Sequence, residues 1–201
     1  MKRLITLACL ATTVSLASGT AAMADSIKGR FGVTGKAGFV VPADNDAEYG
    51  NNRTNRTDNG VIGGGGFLYG IDDNFAAEFD VTGSSFGSDT GDFSVANISF
   101  GGQYRFTLAQ IRKLVPYAGI GLDILVTDYD PNDGTGRDVD TTVGVHASGG
   151  ADYFIQEQLA LTAEVKLVAA PDADISVRGQ RSGDFDPTSI SSTVGIRYFF
   201  N

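Results

Sequence analysis

Thr193-Val194-Gly195-Ile196-Arg197-Tyr198-Phe199-Phe200 stands one residue from the end of this 201-residue chain. Val194, Ile196, Tyr198 and Phe200 are apolar, whereas Thr193, Gly195 and Arg197 between them are polar or bare. A period of two puts the first set on one side of a β-strand and the second on the other. Ile190 prolongs the apolar face and Ser189 and Ser191 the polar one.

The same rhythm recurs upstream. A first strand sets Phe31, Val33, Ala37, Phe39 and Val41 against Arg30, Thr34 and Lys36, and a third sets Phe75, Ala77, Phe79 and Val81 against Glu78, Asp80 and Thr82. The fourth opposes Ile98, Phe100, Tyr104 and Phe106 to Asn97, Ser99, Gln103 and Arg105; the fifth opposes Ile120, Leu122, Ile124 and Val126 to Tyr117, Asp123 and Thr127. In the sixth, Val143, Val145, Ala147 and Tyr153 face away from Thr142, His146, Ser148 and Asp152. The seventh sets Leu159, Leu161, Ala163, Val165 and Leu167 against Thr162, Glu164 and Lys166. The second, 61–71, is ambiguous, because the run Gly63-Gly64-Gly65-Gly66 and Leu68 leave both faces apolar or bare. That run lacks the Lys and helix of a phosphate loop and reads as a bend that makes room across an interior.

The front of the chain is an export leader: basic Lys2 and Arg3, an apolar run 4–17 too short to span a bilayer, and the small-x-small site Ala22-Met23-Ala24. Cleavage after Ala24 leaves one domain, 25–201, without thiol, because Cys9 goes with the leader. It also removes two bases and no acid, taking the formal net charge from -9 to -11, which argues against nucleic acid as a partner. Beyond the leader no apolar run approaches a membrane helix, so entry into a bilayer has to be by strands.

Eight strands leave seven connections. Those at 43–59, 129–138 and 171–187 are long and polar, while 72–74 and 155–158 are tight, as in an up-and-down transmembrane β-barrel with long outer loops and short periplasmic turns. The connection 107–114 is longer than this scheme asks, and a helical turn over 108–112 accounts for it. Tyr69, Phe75, Tyr104, Phe106, Tyr153, Tyr198 and Phe200 then gather on the apolar face near the periplasmic rim as an aromatic girdle. The outer connections, with 87–92, hold 13 acids and 5 bases. Within them Asp128, Asp130, Asn132 and Asp133 read as a flexible acidic loop that attracts divalent cations weakly, with Gly134 a residue late for an EF-hand and Val139 at its Glu position.

With the apolar face toward lipid, the other face fills the lumen. Lys28, Arg30, Lys36, Arg105, Lys166 and Arg197 oppose Glu78, Asp80, Asp123, Asp140, Asp152 and Glu164, with Arg105 and Glu78 as one pairing on adjacent strands. An eight-stranded barrel is just wide enough for side chains to fill it, so the reading is a plugged, salt-bridged core, with a narrow channel for small solutes as the alternative. His146, the sole histidine, falls diagonal to Asp123 and near Ser148. That is the residue set of a serine hydrolase, and His-x-Ser with a later Glu is similar to the outer-membrane lipid A deacylases. The inward direction of His146 and Ser148 favours a structural histidine instead. No cofactor, metal site or catalytic residue follows.

The end stretch resembles the signal by which bacterial outer-membrane barrels are recognised and inserted, carried here by Thr193, Gly195, Tyr198 and Phe200, although Asn201 follows the aromatic. With Val115-Pro116-Tyr117-Ala118-Gly119-Ile120-Gly121-Leu122 and Gly149-Gly150-Ala151-Asp152-Tyr153, the chain from Asp25 resembles the opacity-protein and OmpW-like group of small outer-membrane barrels. The resemblance implies a monomeric eight-stranded barrel in the bacterial outer membrane with a non-enzymatic structural, surface-interaction or small-solute role. Its partners would be outer-membrane lipid, lipopolysaccharide and the barrel-assembly machinery.

Overall fold

The computed structural model describes residues 26–43, 57–88, 91–108, 111, 113–131, 137–177 and 180–200, leaving aside the side chains of 131, 137, 138, 177 and 180–184. The expected leader with its cleavage site and Cys9, residues 44–56, and Asn201 lie outside them. All regular structure among the described residues is β: β1 (Phe31–Pro42), β2 (Gly60–Gly70), β3 (Phe75–Ser88), β4 (Gly91–Arg105), β5 (Leu114–Pro131), β6 (Arg137–Val139), β7 (Thr142–Gln156), β8 (Leu159–Ala169), β9 (Ala173–Val177), β10 (Gln180–Phe185) and β11 (Ser189–Phe200).

Eight long strands close into an antiparallel barrel in the order β1-β2-β3-β4-β5-β7-β8-β11, and β11 pairs back onto β1 without a break from Phe31↔Phe200 to Pro42↔Ser189. Closure leaves the eight-stranded wall without an open edge, which hydrocarbon demands. Gly195 belongs to this seam: a Cβ there would run into the carbonyl of Gly35 and the backbone of Lys36. The glycine of the terminal stretch thus lets the last strand dock on the first.

The outer surface carries a broad apolar band. Phe39, Val61, Ile120, Leu122, Val143, Val145, Val194 and Ile196 are exposed, a display that water would penalise and lipid accepts. The girdle forms as read, with ring contacts Phe75–Tyr104, Tyr104–Phe106 and Tyr198–Phe200 at 5.0, 4.9 and 5.0 Å. Phe31 joins it beside Phe200.

The ambiguous second strand resolves with Val61, Phe67 and Tyr69 outward and Leu68 inward. Its glycines make room without a bulge, since the pairing with β1 and β3 is uninterrupted. A side chain at Gly66 would overlap the carboxylate of Asp80. Two expectations about the connections change. The stretch 171–187 carries β9 and β10, which with β6 extend the wall beyond the membrane, and Asp128 and Asp130 lie in β5 with outward side chains, not in a loop. Apolar Ala173, Ile175 and Phe185 explain why the chain folds there: they are buried over the outer mouth. Of the helical turn expected at 108–112, residues 109, 110 and 112 lie outside the described residues, and Leu108 and Ile111 are not helical.

Candidate functional site

Inward-facing side chains fall into three layers. At the periplasmic end Ile27, Leu68, Ala76, Phe154, Ala160 and Phe199 form an apolar cluster, with the rings of Phe154 and Phe199 stacked at 5.6 Å. At the outer end a second cluster is centred on Phe93, which stacks on Tyr129 at 4.3 Å and on Phe185 at 4.8 Å. Between them lies the polar layer, built from Thr34, Lys36, Glu78, Asp80, Asn97, Ser99, Gln103, Arg105, Asp123, His146, Asp152, Glu164, Lys166 and Arg197.

Near the periplasmic cluster, Asp152 is fully buried and its Oδ2 accepts from two guanidinium groups, Arg105 Nη2 at 2.6 Å and Arg197 Nη1 at 2.8 Å. Arg197 also donates to Thr34 Oγ1 at 2.8 Å and Glu78 Oε1 at 3.3 Å, and both guanidinium groups lie against the Tyr117 ring. The expected Arg105–Glu78 pairing does not form. Gln103 stands between them, donating to Glu78 Oε2 at 2.7 Å and accepting from Arg105 at 3.3 Å, so that Asp152 takes the arginine. Higher up, Lys36 bridges Asp80 at 2.7 Å and Glu164 at 3.0 Å, and Tyr117 donates to Glu164 at 3.2 Å.

Asp123 collects three donors. The Nδ1 of His146 lies 2.6 Å from its Oδ2, while Asn97 and Ser99 donate to Oδ1 at 2.8 and 2.6 Å. The β7–β8 hairpin pairs Ser148 with Lys166, Gly150 with Glu164 and Asp152 with Thr162, and β5 puts Asp123 opposite Gly144, diagonal to His146. Lys166 is held more loosely: it donates to Ser99 Oγ at 3.2 Å, and its nearest carboxylate oxygen, on Asp80, is 3.8 Å away. Two of the charges assigned to the lumen are elsewhere. Lys28 precedes β1 and Asp140 precedes β7, both exposed, because the strands begin after them. Arg30 sits at the periplasmic rim, donating to the Glu157 carbonyl at 2.9 Å.

Ser148 Oγ is buried without a hydrogen-bond partner, and the Nδ1 of His146 is engaged with Asp123. The nucleophile–base contact that a serine hydrolase needs is therefore not made. Of the terminal residues, Thr193 is buried toward the lumen, Gly195 lies in the seam, and Tyr198 and Phe200 face lipid. What sequence reading did not supply was the apolar ends: Phe93, Val95, Phe154 and Phe185 are inward, and the run Phe93, Val95, Asn97, Ser99 at period two was the available signal. Beneath the outer cluster is a cavity of about 40 Å³ lined by Lys36, Asn97, Glu164, Lys166, Phe86 and Phe185 among others.

A family model for the outer membrane protein beta-barrel domain matches residues 8–198. No curated protein matches the sequence. Among solved structures, the outer membrane protein OprG from Pseudomonas aeruginosa is similar at a TM-score of 0.70 and 18% identity, over 87% of this chain and 97% of that one. Neisserial surface protein A gives 0.65 and 18%, over 86% and 100%. The E. coli outer membrane protein W gives 0.50 and 19%, over 86% and 98%. At these identities the likeness is one of fold. Closed barrel, lipid-facing girdle and family match agree, and the chain belongs to the outer membrane protein beta-barrel domain family of the bacterial outer membrane.

Proposed function

We propose that this barrel is a non-enzymatic, closed wall protein that meets partners through its acidic outer connections. The observation that carries the reading is the filled lumen: each charged side chain of the polar layer has an internal partner, and apolar clusters cap that layer at both ends. Such a core leaves little open space, since the interior of an eight-stranded barrel is just wide enough for side chains to fill it. The unengaged Ser148 supports a role without catalysis.

The apolar face, continuous around the wall, suits contact with lipid and lipopolysaccharide acyl chains and a monomeric state. Thr193, Gly195, Tyr198 and Phe200 would be read by the barrel-assembly machinery before the seam closes, which fits the position of Gly195. Liposome swelling tests the reading: proteoliposomes should swell in a small neutral sugar no faster than empty vesicles, and swelling that scales with protein would overturn it. The alternative, a narrow channel for small solutes, would have to pass through the cavity of about 40 Å³ beneath the outer cluster. That cavity has room for about three water molecules at roughly 10–15 Å³ each, a size that supports a void in a core over a bore.

A further inference from the structure

Residues 26–30 belong to no strand, yet they close the periplasmic mouth. Ile27 is only 4% exposed and fills the centre of the inner apolar cluster, against Leu68, Ala76, Phe154, Ala160 and Phe199. The chain reaches this position by a tight corner. Gly29 takes a left-handed φ of 73°, and the N–H of Arg30 donates to the Ile27 carbonyl at 2.9 Å. The corner is pinned to the end of β2 and to the turn after it: Gly29 N–H donates to the Gly70 carbonyl at 2.8 Å, Gly70 N–H to the Arg30 carbonyl at 3.0 Å, and the Ser26 hydroxyl to the Asp73 carboxylate. Gly70 is shaped for it, since a Cβ there would strike the Ile27 carbonyl. On the far side the Arg30 guanidinium lies 5.1 Å above the Phe199 ring.

We propose that residues 26–30 are a displaceable stopper, an apolar plug on a short strap that opens or closes the periplasmic mouth. The β1–β11 and β1–β2 ladders from Phe31 on do not depend on Ile27, and release of the segment frees only the N–H and carbonyl of Gly70 at the periplasmic rim, where water can take them up, so the segment can leave while the wall stays intact. Its departure would uncover a throat lined by Leu68, Ala76, Phe154, Ala160 and Phe199, leading to the Arg105–Asp152–Arg197 cluster. The inference adds to the closed-lumen reading and rests on it for one of its two barriers.

The test is thiol accessibility. In a Cys9→Ser background, Ala76→Cys places a single small reporter behind the stopper, and a charged, membrane-impermeant maleimide is applied to the protein purified from outer membranes. The parent should be protected. Ile27→Gly should label about ten-fold faster or more with an unchanged heat-modifiable band, and Ile27→Leu should restore protection. Gly29→Ala, which strains the corner without touching the throat, should move the rate in the same direction. A parent that labels at the free-thiol rate, or an Ile27→Gly rate equal to the parent's, overturns the stopper. Liposome swelling on the same variants separates the two readings. Faster labelling of Ile27→Gly without swelling supports the stopper and leaves the polar layer as a second barrier. Swelling by the parent sinks the closed lumen, while the labelling rates still decide the stopper.

Discussion

The middle of the lumen and its two ends are built from the same strands and the same inward positions, yet they are held by opposite chemistry. In the middle, Asp152, Asp123 and Lys36 each meet two or more polar partners; at the ends, Phe154, Phe199, Phe93 and Phe185 are held chiefly by ring stacking, with the Arg30 guanidinium over the Phe199 ring. The difference lies in what each layer tolerates. An apolar end gives way gradually when a side chain is trimmed, whereas a buried charge whose partner is removed has nowhere to put its field. Alternation chooses the inward face, and height in the barrel chooses between ion pair and ring stack.

The largest expected effect is therefore in the middle. Asp152→Ala takes the shared acceptor from Arg105 and Arg197 and should cost about 3 to 5 kcal/mol or more in urea-titrated stability, with much of the heat-modifiable band lost. Asp152→Asn keeps an acceptor and should cost less; equal losses would mean that the two arginines are stabilised by something else. At the inner end Phe199→Ala should cost about 3 kcal/mol through the cavity it leaves. Phe200→Ala on the lipid face should instead lower the yield of assembled barrel while leaving the stability of what does assemble nearly unchanged. Matching profiles for the two phenylalanines would break the distinction between a core ring and an end-signal ring.

Lys166→Met separates charges that are locked from one that is not. It gives up a single hydrogen bond to Ser99, while Lys36 still neutralises Asp80, so a cost of about 1 kcal/mol is expected. A loss as large as that of Asp152→Ala would show a tighter bond than the 3.8 Å separation from Asp80 allows. The smallest effect belongs to the exposed β2–β3 turn. There Asp72 Oδ1 accepts the N–H groups of Asn74 and Phe75 at 2.8 and 2.7 Å, which holds its carboxyl below the ordinary value of 3.8. A depressed carboxylate contributes fully above that ordinary value and loses its contribution as pH falls through the folded-state value. Asp72→Asn should slightly weaken the barrel at neutral pH and flatten its acid dependence below pH 3.8; unchanged acid unfolding would remove the turn from the account.

The wall was legible in the sequence because lipid enforces period two residue by residue: Val194, Ile196, Tyr198 and Phe200 leave no other face for Arg197. Pairings across the short hairpin were legible too, since the tight β7–β8 turn fixes Asp152 opposite Thr162 and so Ser148 opposite Lys166. Partners across the lumen were not, because they depend on barrel curvature and not on strand register. Arg105 reaches over to Asp152 on β7 and leaves Glu78, two strands of sequence closer, to Gln103 and Arg197. The apolar ends were obscured for a different reason. Phe93, Phe154 and Phe185 look like lipid-facing residues in composition, and only their parity within each strand turns them inward. Ile27 carried no strand signal at all, since its place depends on the corner at Gly29.

Single-molecule conductance in planar bilayers tests the three-layer lumen most directly. The refolded barrel, inserted at neutral pH and about 1 M salt, where screening shrinks to about 3 Å, should give no stable conductance steps, because apolar clusters and a partnered polar layer leave no continuous water path. Uniform ohmic steps, one per inserted barrel and absent with protein-free detergent, would contradict it.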